Sequence, residues 1–182
     1  MKFNVTIKGI APLLQHRFSE EKLTSVTKRT GDKKLTAEDK KIAAEQFLYL
    51  DNKGKVSQPA SHIEGAMIKA ATEIKMAGSG KKSYKDLIKG ACFVFPEYIP
   101  HKNQKWEVDA RSVVNPTTRG RTMSYRPRLE EWELNFELQV NDDRADEHAI
   151  KQILEIAGLQ RGIGSYRPRF GRFSVEKFQK VK

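Results

Sequence analysis

The chain has 182 residues, enough for one domain with a sizeable core, since folding at this length buries roughly 70% of the extended chain's surface. Its 34 Lys and Arg against 23 Asp and Glu give a formal net charge of +11 and a pI near 9.7, a surplus that points to a polyanionic partner. The single cysteine, Cys92, excludes an internal disulfide framework, and no apolar run approaches the ~20 residues that a membrane-spanning helix needs. With no secretory leader read at the N-terminus, the expected location is cytoplasmic and no membrane partner is expected.

In chain order, Phe3, Val5 and Ile7 alternate with polar residues, which predicts a half-buried strand over 2–8 that Gly9 ends. Residues 19–46 are rich in Lys and Glu and poor in large apolar groups. They read as an inserted, charged segment, helical from about Thr36 to Phe47. The runs 47–50 and 55–57 flank Asp51-Asn52-Lys53-Gly54, a hairpin signal. Ser61 with Glu64 three residues on reads as a capping box, opening a helix whose apolar stripe is Ile63, Ala66, Met67, Ala70, Ala71 and Ile74, with Gly78 as its stop.

A second short helix is expected from Ser83. Strands are expected over 92–98, 106–114 and 132–140; in the last, Trp132, Leu134, Phe136, Leu138 and Val140 give a clear period of two. A helix over about 145–157 should end at Gly158, and a last strand should run over 172–181. Without its insertions the order is strand, helix, strand, strand, helix, strand. That order predicts an α+β, ferredoxin-like (RRM-like) βαββαβ sandwich, a single domain over 1–182 with insertions at about 19–46 and 106–128.

One pentapeptide occurs twice: Ser124-Tyr125-Arg126-Pro127-Arg128 and Ser165-Tyr166-Arg167-Pro168-Arg169. Guanidinium groups pair phosphate through two parallel hydrogen bonds, and a tyrosine face stacks an unpaired base. The surrounding charge is uneven. Residues 102–128 hold seven bases and two acids, 129–160 hold two bases and nine acids, and 161–182 hold seven bases and one acid. Should the two basic segments meet, they form a charged groove. The second copy sits in a glycine-punctuated stretch, Arg161-Gly162-Ile163-Gly164 to Phe170-Gly171-Arg172-Phe173. There glycines would let the main chain approach phosphate and leave amides free to donate.

Two segments together resemble a family. The stretch 58–69, Gln-Pro-Ala-Ser-His-Ile-Glu-Gly-Ala-Met-Ile-Lys, is similar to the "I-P-[AG]-S-S-[IL]-[KR]-G-A-[LI]-R" helix start of the RAMP superfamily, the repeat-associated proteins of CRISPR effector complexes. The stretch 161–173 resembles that superfamily's C-terminal glycine-rich loop. His62 and Glu64 stand where the pattern carries small or basic residues. The resemblance implies the ferredoxin-like domain and a non-catalytic subunit, like an effector backbone in antiviral defence, that binds single-stranded nucleic acid, RNA first, and oligomerises along it. A diverged, phage-borne relative acting outside such a complex is the variant reading.

Its implied partners are single-stranded RNA or DNA, copies of itself and other effector subunits; no cofactor and no metal are implied. The hairpin 106–128 would act as a thumb, with Arg111, Arg119, Arg121, Tyr125, Arg126 and Arg128 on the strand. The loop would grip the backbone through Arg161, Gly162, Gly164, Tyr166, Arg167, Arg169 and Arg172, while Phe170 packs. Two alternatives stand beside this one. A metal-independent RAMP-type endoribonuclease would use His16, at the place where RNA-cleaving members carry a histidine, with Tyr125 or a lysine as its partner; Asp51 and Asp109 are further candidates as metal or cleavage residues. A phage single-stranded-DNA-binding or assembly protein would use the same basic faces.

Overall fold

A computed structural model describes residues 1–18, 35–78, 80–114 and 119–181. The main sheet has four strands. β1 (Lys2–Gly9) pairs antiparallel with β8 (Glu133–Val140) on one side and β9 (Phe173–Lys180) on the other, and β8 pairs with β4 (Cys92–Phe95). The order across the sheet is β4-β8-β1-β9. The period-two pattern explains its two faces. Phe3, Val5 and Ile7 of β1 and Leu134, Phe136, Leu138 and Val140 of β8 are buried, while the alternating Asn4 and Asn135 face outward.

Two helices complete that core: α2 (Ala60–Ala70), through Ile63, Ala66, Met67 and Ala70, and α4 (Glu147–Ile156), through Ile150, Ile153 and Leu154. Each fully buried aliphatic or aromatic side chain contributes ~1.5–3 kcal/mol. Cys92 lies in this core, and burial pushes its thiol up to about 12.

A second sheet, order β2-β7-β6, joins β2 (Leu13–Leu14) to the hairpin of β6 (Glu107–Val114) and β7 (Arg121–Leu129). The turn of this hairpin, 115–118, lies outside the described residues. So does 19–34 of the expected charged insertion, whose described part is α1 (Ala37–Glu45), packed against β6 and β7. A two-stranded sheet pairs β3 (Ser57–Pro59) with β5 (Tyr98–Pro100), and α3 (Lys85–Ala91) fills the gap between α2 and β4. Asp51 shapes the predicted turn, its Oδ1 accepting from the amides of Lys53 and Lys55, both at 2.8 Å. The protein is thus α+β with antiparallel sheets.

Three local expectations are corrected. No capping box forms at Ser61: α2 begins at Ala60 after Pro59 with no side-chain cap, and Glu64 is drawn off to accept from the Val94 amide at 2.9 Å. The same helix ends at Ala70, eight residues short of Gly78, because Lys75 turns back to bridge Ser83. Finally, α4 does not stop at Gly158. It widens into a π-helical turn, Ala157–Arg161, and ends at Gly162, whose φ of 65° with ψ of 174° is a backbone conformation that favours glycine.

Candidate nucleic-acid interface

The loop after this π-turn is held by its own main chain. The Ile163 amide donates to Gly171 O at 2.9 Å, the Gly171 amide to Pro12 O at 2.8 Å, and the Ser165 amide to Leu14 O at 2.8 Å. Gly171 has φ of 73°, and a Cβ there would lie 1.8 Å from Ile163 O. The glycines therefore bring the two sides of the loop together and seat it on the segment after β1. The amides of Gly162 and Gly171 are therefore not free for phosphate: Gly162 is buried and its amide donates to Ala157 O at 2.8 Å.

The hairpin offers one face to this loop. Cross-strand pairing sets Asp109 opposite Arg126, Arg111 opposite Ser124 and Glu107 opposite Arg128, so Asp109, Arg111, Arg126 and Arg128 share a side. There the two pentapeptides meet. Arg126 donates through Nη1 to Ser165 Oγ at 3.1 Å, and its guanidinium carbon lies 4.9 Å from the Tyr166 ring centre. The Arg111 guanidinium carbon lies 5.7 Å from the same ring and 4.6 Å from Phe170, which is buried and packs as expected. Tyr166 has φ of 58° and is 43% exposed. A non-glycine residue in that region carries roughly 1–3 kcal/mol of strain, which the contacts with the two guanidinium groups help to offset.

Beside this contact lies an open cleft of about 1030 Å³, lined by Arg111, Arg128, Arg169 and Arg172 together with Ile10, Pro12, Leu159, Pro168 and Phe170. The cations differ in how far they are already neutralised. Arg111 is clamped by Asp109, at 2.6 and 2.9 Å, and Arg128 by Glu130, at 2.7 Å; Arg161 pairs with Glu73. Among the described residues no carboxylate pairs with Arg119, Arg121, Arg126, Arg167, Arg169 or Arg172. Arg126 is half-buried, whereas Arg119, Arg121, Arg167, Arg169 and Arg172 are exposed, and exposed charges of this kind exchange water and counterions for phosphate readily.

Other expected site residues are not gathered here. Strand alternation sets Arg121 and Tyr125 on the opposite side of β7 from Arg126 and Arg128. Arg119 stands at the far end of the hairpin, and Arg161 is directed to Glu73. Asp109 and Asp51 are engaged, by Arg111 and by the turn amides respectively. The His16 ring is tilted against that of Phe47, their centres 4.6 Å apart, and partial burial, then the Arg126 charge, hold its pKa below the ordinary histidine value.

Sequence reasoning missed Tyr49 and His62 as neighbours of the site. Their rings meet edge-on at 5.4 Å, and the Tyr49 hydroxyl donates to His16 O at 3.3 Å. His62 is half-buried; burial first, then the Arg167 charge, lower its pKa. Its departure from the motif at 58–69 was the one signal that could have marked it.

No protein-family model matches the chain, and no curated protein matches it in sequence. Solved structures align with it in fold. A chain from the cryo-EM structure of Type III-B Cmr-beta bound to cognate target RNA aligns over 100% of this chain at 15% identity with a TM-score of 0.60. This chain spans 60% of that neighbour's length. Looser alignments cover 91% of a chain of a Type IV-B CRISPR complex, at 11% identity and a TM-score of 0.49, and 64% of a CRISPR protein from Archaeoglobus fulgidus, at 14% identity and a TM-score of 0.39. The chain is similar in fold to a chain of Type III-B Cmr-beta, in agreement with the RAMP resemblance of its two motifs.

Proposed function

We propose that this protein is a non-catalytic subunit that binds single-stranded nucleic acid, RNA in the first place, and oligomerises along it as in a CRISPR-type effector backbone. The observation that carries this reading is the meeting of the two Ser-Tyr-Arg-Pro-Arg segments, 39 residues apart between Arg126 and Ser165, on one side of the molecule. They border a cleft with four arginines. Cations around an open groove, with an exposed tyrosine among them, suit a flexible polyanion with unstacked bases.

Two further observations support the reading. The antiparallel sheet β4-β8-β1-β9, with α2 and α4 completing the core, supports a ferredoxin-like reading of the domain. The neighbour in fold was solved with target RNA bound. In this reading Arg167, Arg169 and Arg172 make the main phosphate contacts, Arg111 and Arg128 line the opposite wall, Arg126 backs the loop through Ser165 and the Tyr166 ring, and Tyr166 stacks. Arg119 and Arg121 reach a more distant stretch of the strand or the next subunit.

The test is fluorescence anisotropy of a labelled single-stranded RNA with pure protein. Affinity should fall steeply with salt, and Arg167→Glu with Arg169→Glu should weaken binding by roughly 100-fold or more. Unaltered binding by that double variant contradicts the assignment of the loop as the grip.

A further inference from the structure

A polar relay runs from the core to the surface beside the loop. Gln15 is fully buried. Its Oε1 accepts from the Tyr49 amide at 3.0 Å, and its Nε2 donates to the Ser57 carbonyl at 2.7 Å. Two main-chain partners of opposite kind thus fix which end of this amide is which. The same Nε2 lies 3.1 Å from Oε1 of Gln58, itself fully buried, so Gln58 presents its NH₂ group to Nδ1 of His62. An amide NH₂ only donates. Nδ1 of His62 must accept, and the ring proton is therefore on Nε2. Adding a proton to Nδ1 would set two donors face to face, so the relay holds the imidazole uncharged.

His62 lies in the first turn of α2, half-exposed, within the electrostatic reach of Arg167. Its Nε2 is on the ring edge away from Gln58, and no described residue bonds it.

We propose that His62 is a second kind of contact to the bound strand, an uncharged donor whose Nε2–H, aimed by the Gln15–Gln58 relay, bonds an acceptor oxygen of the single-stranded nucleic acid beside the phosphate that Arg167 holds. This rests on the proposed function and adds a property to it. A neutral donor releases no counterion, so its share of the affinity is insensitive to salt, whereas that of Arg167 is not. The site would combine a salt-dependent grip with a fixed, directional bond.

The experiment has two arms. Nitrogen-15 NMR of the free, full-length protein at pH 7 should show His62 as the Nε2–H tautomer; an Nδ1–H tautomer or an imidazolium overturns the proposal. A labelled single-stranded RNA is then titrated at two salt concentrations. His62→Phe should bind about tenfold more weakly at both, with the salt slope unchanged. His62→Gln, which carries an NH₂ near the position of Nε2, should recover most of the loss.

Should His62→Phe bind as wild type while Arg167→Glu with Arg169→Glu stays defective, the proposal fails and the proposed function stands. Absence of binding by the wild-type protein overturns both. Should the Phe variant not fold, the tautomer and the Gln variant decide: a Gln variant that folds yet binds at least tenfold more weakly also counts against the proposal.

Discussion

The same five residues adopt two structures in this protein. In the first copy, Ser124–Arg128 is extended within β7, paired to β6 and joined to the N-terminal segment by the Gln15 amide, which donates to Pro127 O at 3.0 Å. In the second, Ser165–Arg169 is a loop with Tyr166 in the left-handed region. Long-range partners decide which form each takes: strand pairing in one case, the Ile163–Gly171 and Ser165–Leu14 bonds in the other. The charges differ accordingly. In the strand copy Arg128 pairs with Glu130 and Arg126 is bonded to Ser124 and Ser165. The loop copy leaves Arg167 and Arg169 exposed and without a carboxylate partner among the described residues. Identical sequence thus yields a paired strand with bonded, half-buried arginines and a loop with exposed arginines.

The contrast can be broken most severely at Gly171. Gly171→Ala places a methyl group against Ile163 O in a left-handed backbone, and should cost about 3–4 kcal/mol and lower the melting temperature by roughly 10 °C, read by thermal denaturation.

Acid should loosen the support of the strand copy next. His101, 3% exposed, lies beside Gln15 with no partner for Nδ1 among the described residues, and burial lowers its pKa to about 4. Its folded pKa is below the unfolded value near 6.5, so between pH ~6.5 and ~4 the unfolded chain takes up a proton that the native state refuses. Stability from this group is full above pH ~6.5 and falls as pH drops toward 4, by on the order of 3 kcal/mol. Denaturant midpoints across that range measure it, and His101→Gln should flatten the dependence.

For binding, Arg167→Ala with Arg169→Ala should weaken affinity for single-stranded RNA about 100-fold, and Arg126→Ala with Arg128→Ala only about 10-fold, in the same anisotropy assay. Smallest, Glu130→Gln should release Arg128 and strengthen binding about two- to threefold at low salt, with no gain at high salt.

Much of the frame was legible in the sequence. The alternation at Phe3, Val5 and Ile7 and at Leu134 to Val140 marked two central strands, and the spacing of Ile150, Ile153 and Leu154 marked the face of α4. Those patterns are local, set by burial on one side of one element. Helix ends were less legible, because tertiary bonds override local caps: Glu64 serves the Val94 amide rather than its own helix.

At the site, arginine-rich segments could be picked out but not sorted. Period two within β7 already separates Tyr125 from Arg126, yet which side meets the loop depends on the Arg126–Ser165 contact. The Gln15–Gln58–His62 relay joins residues up to 47 positions apart in sequence and carries no local signal.

The claim that both copies border one cationic track, with the loop as its grip, is tested most directly by the salt dependence of binding. Dissociation constants for a single-stranded RNA would be measured from low to high salt for wild type, Arg167→Ala with Arg169→Ala, and Arg126→Ala with Arg128→Ala. The loop pair should lower the slope of log K against log salt by about 1.4, two phosphate contacts at ~0.7 each, and the strand pair by less than one. Equal slopes for all three proteins would contradict the account.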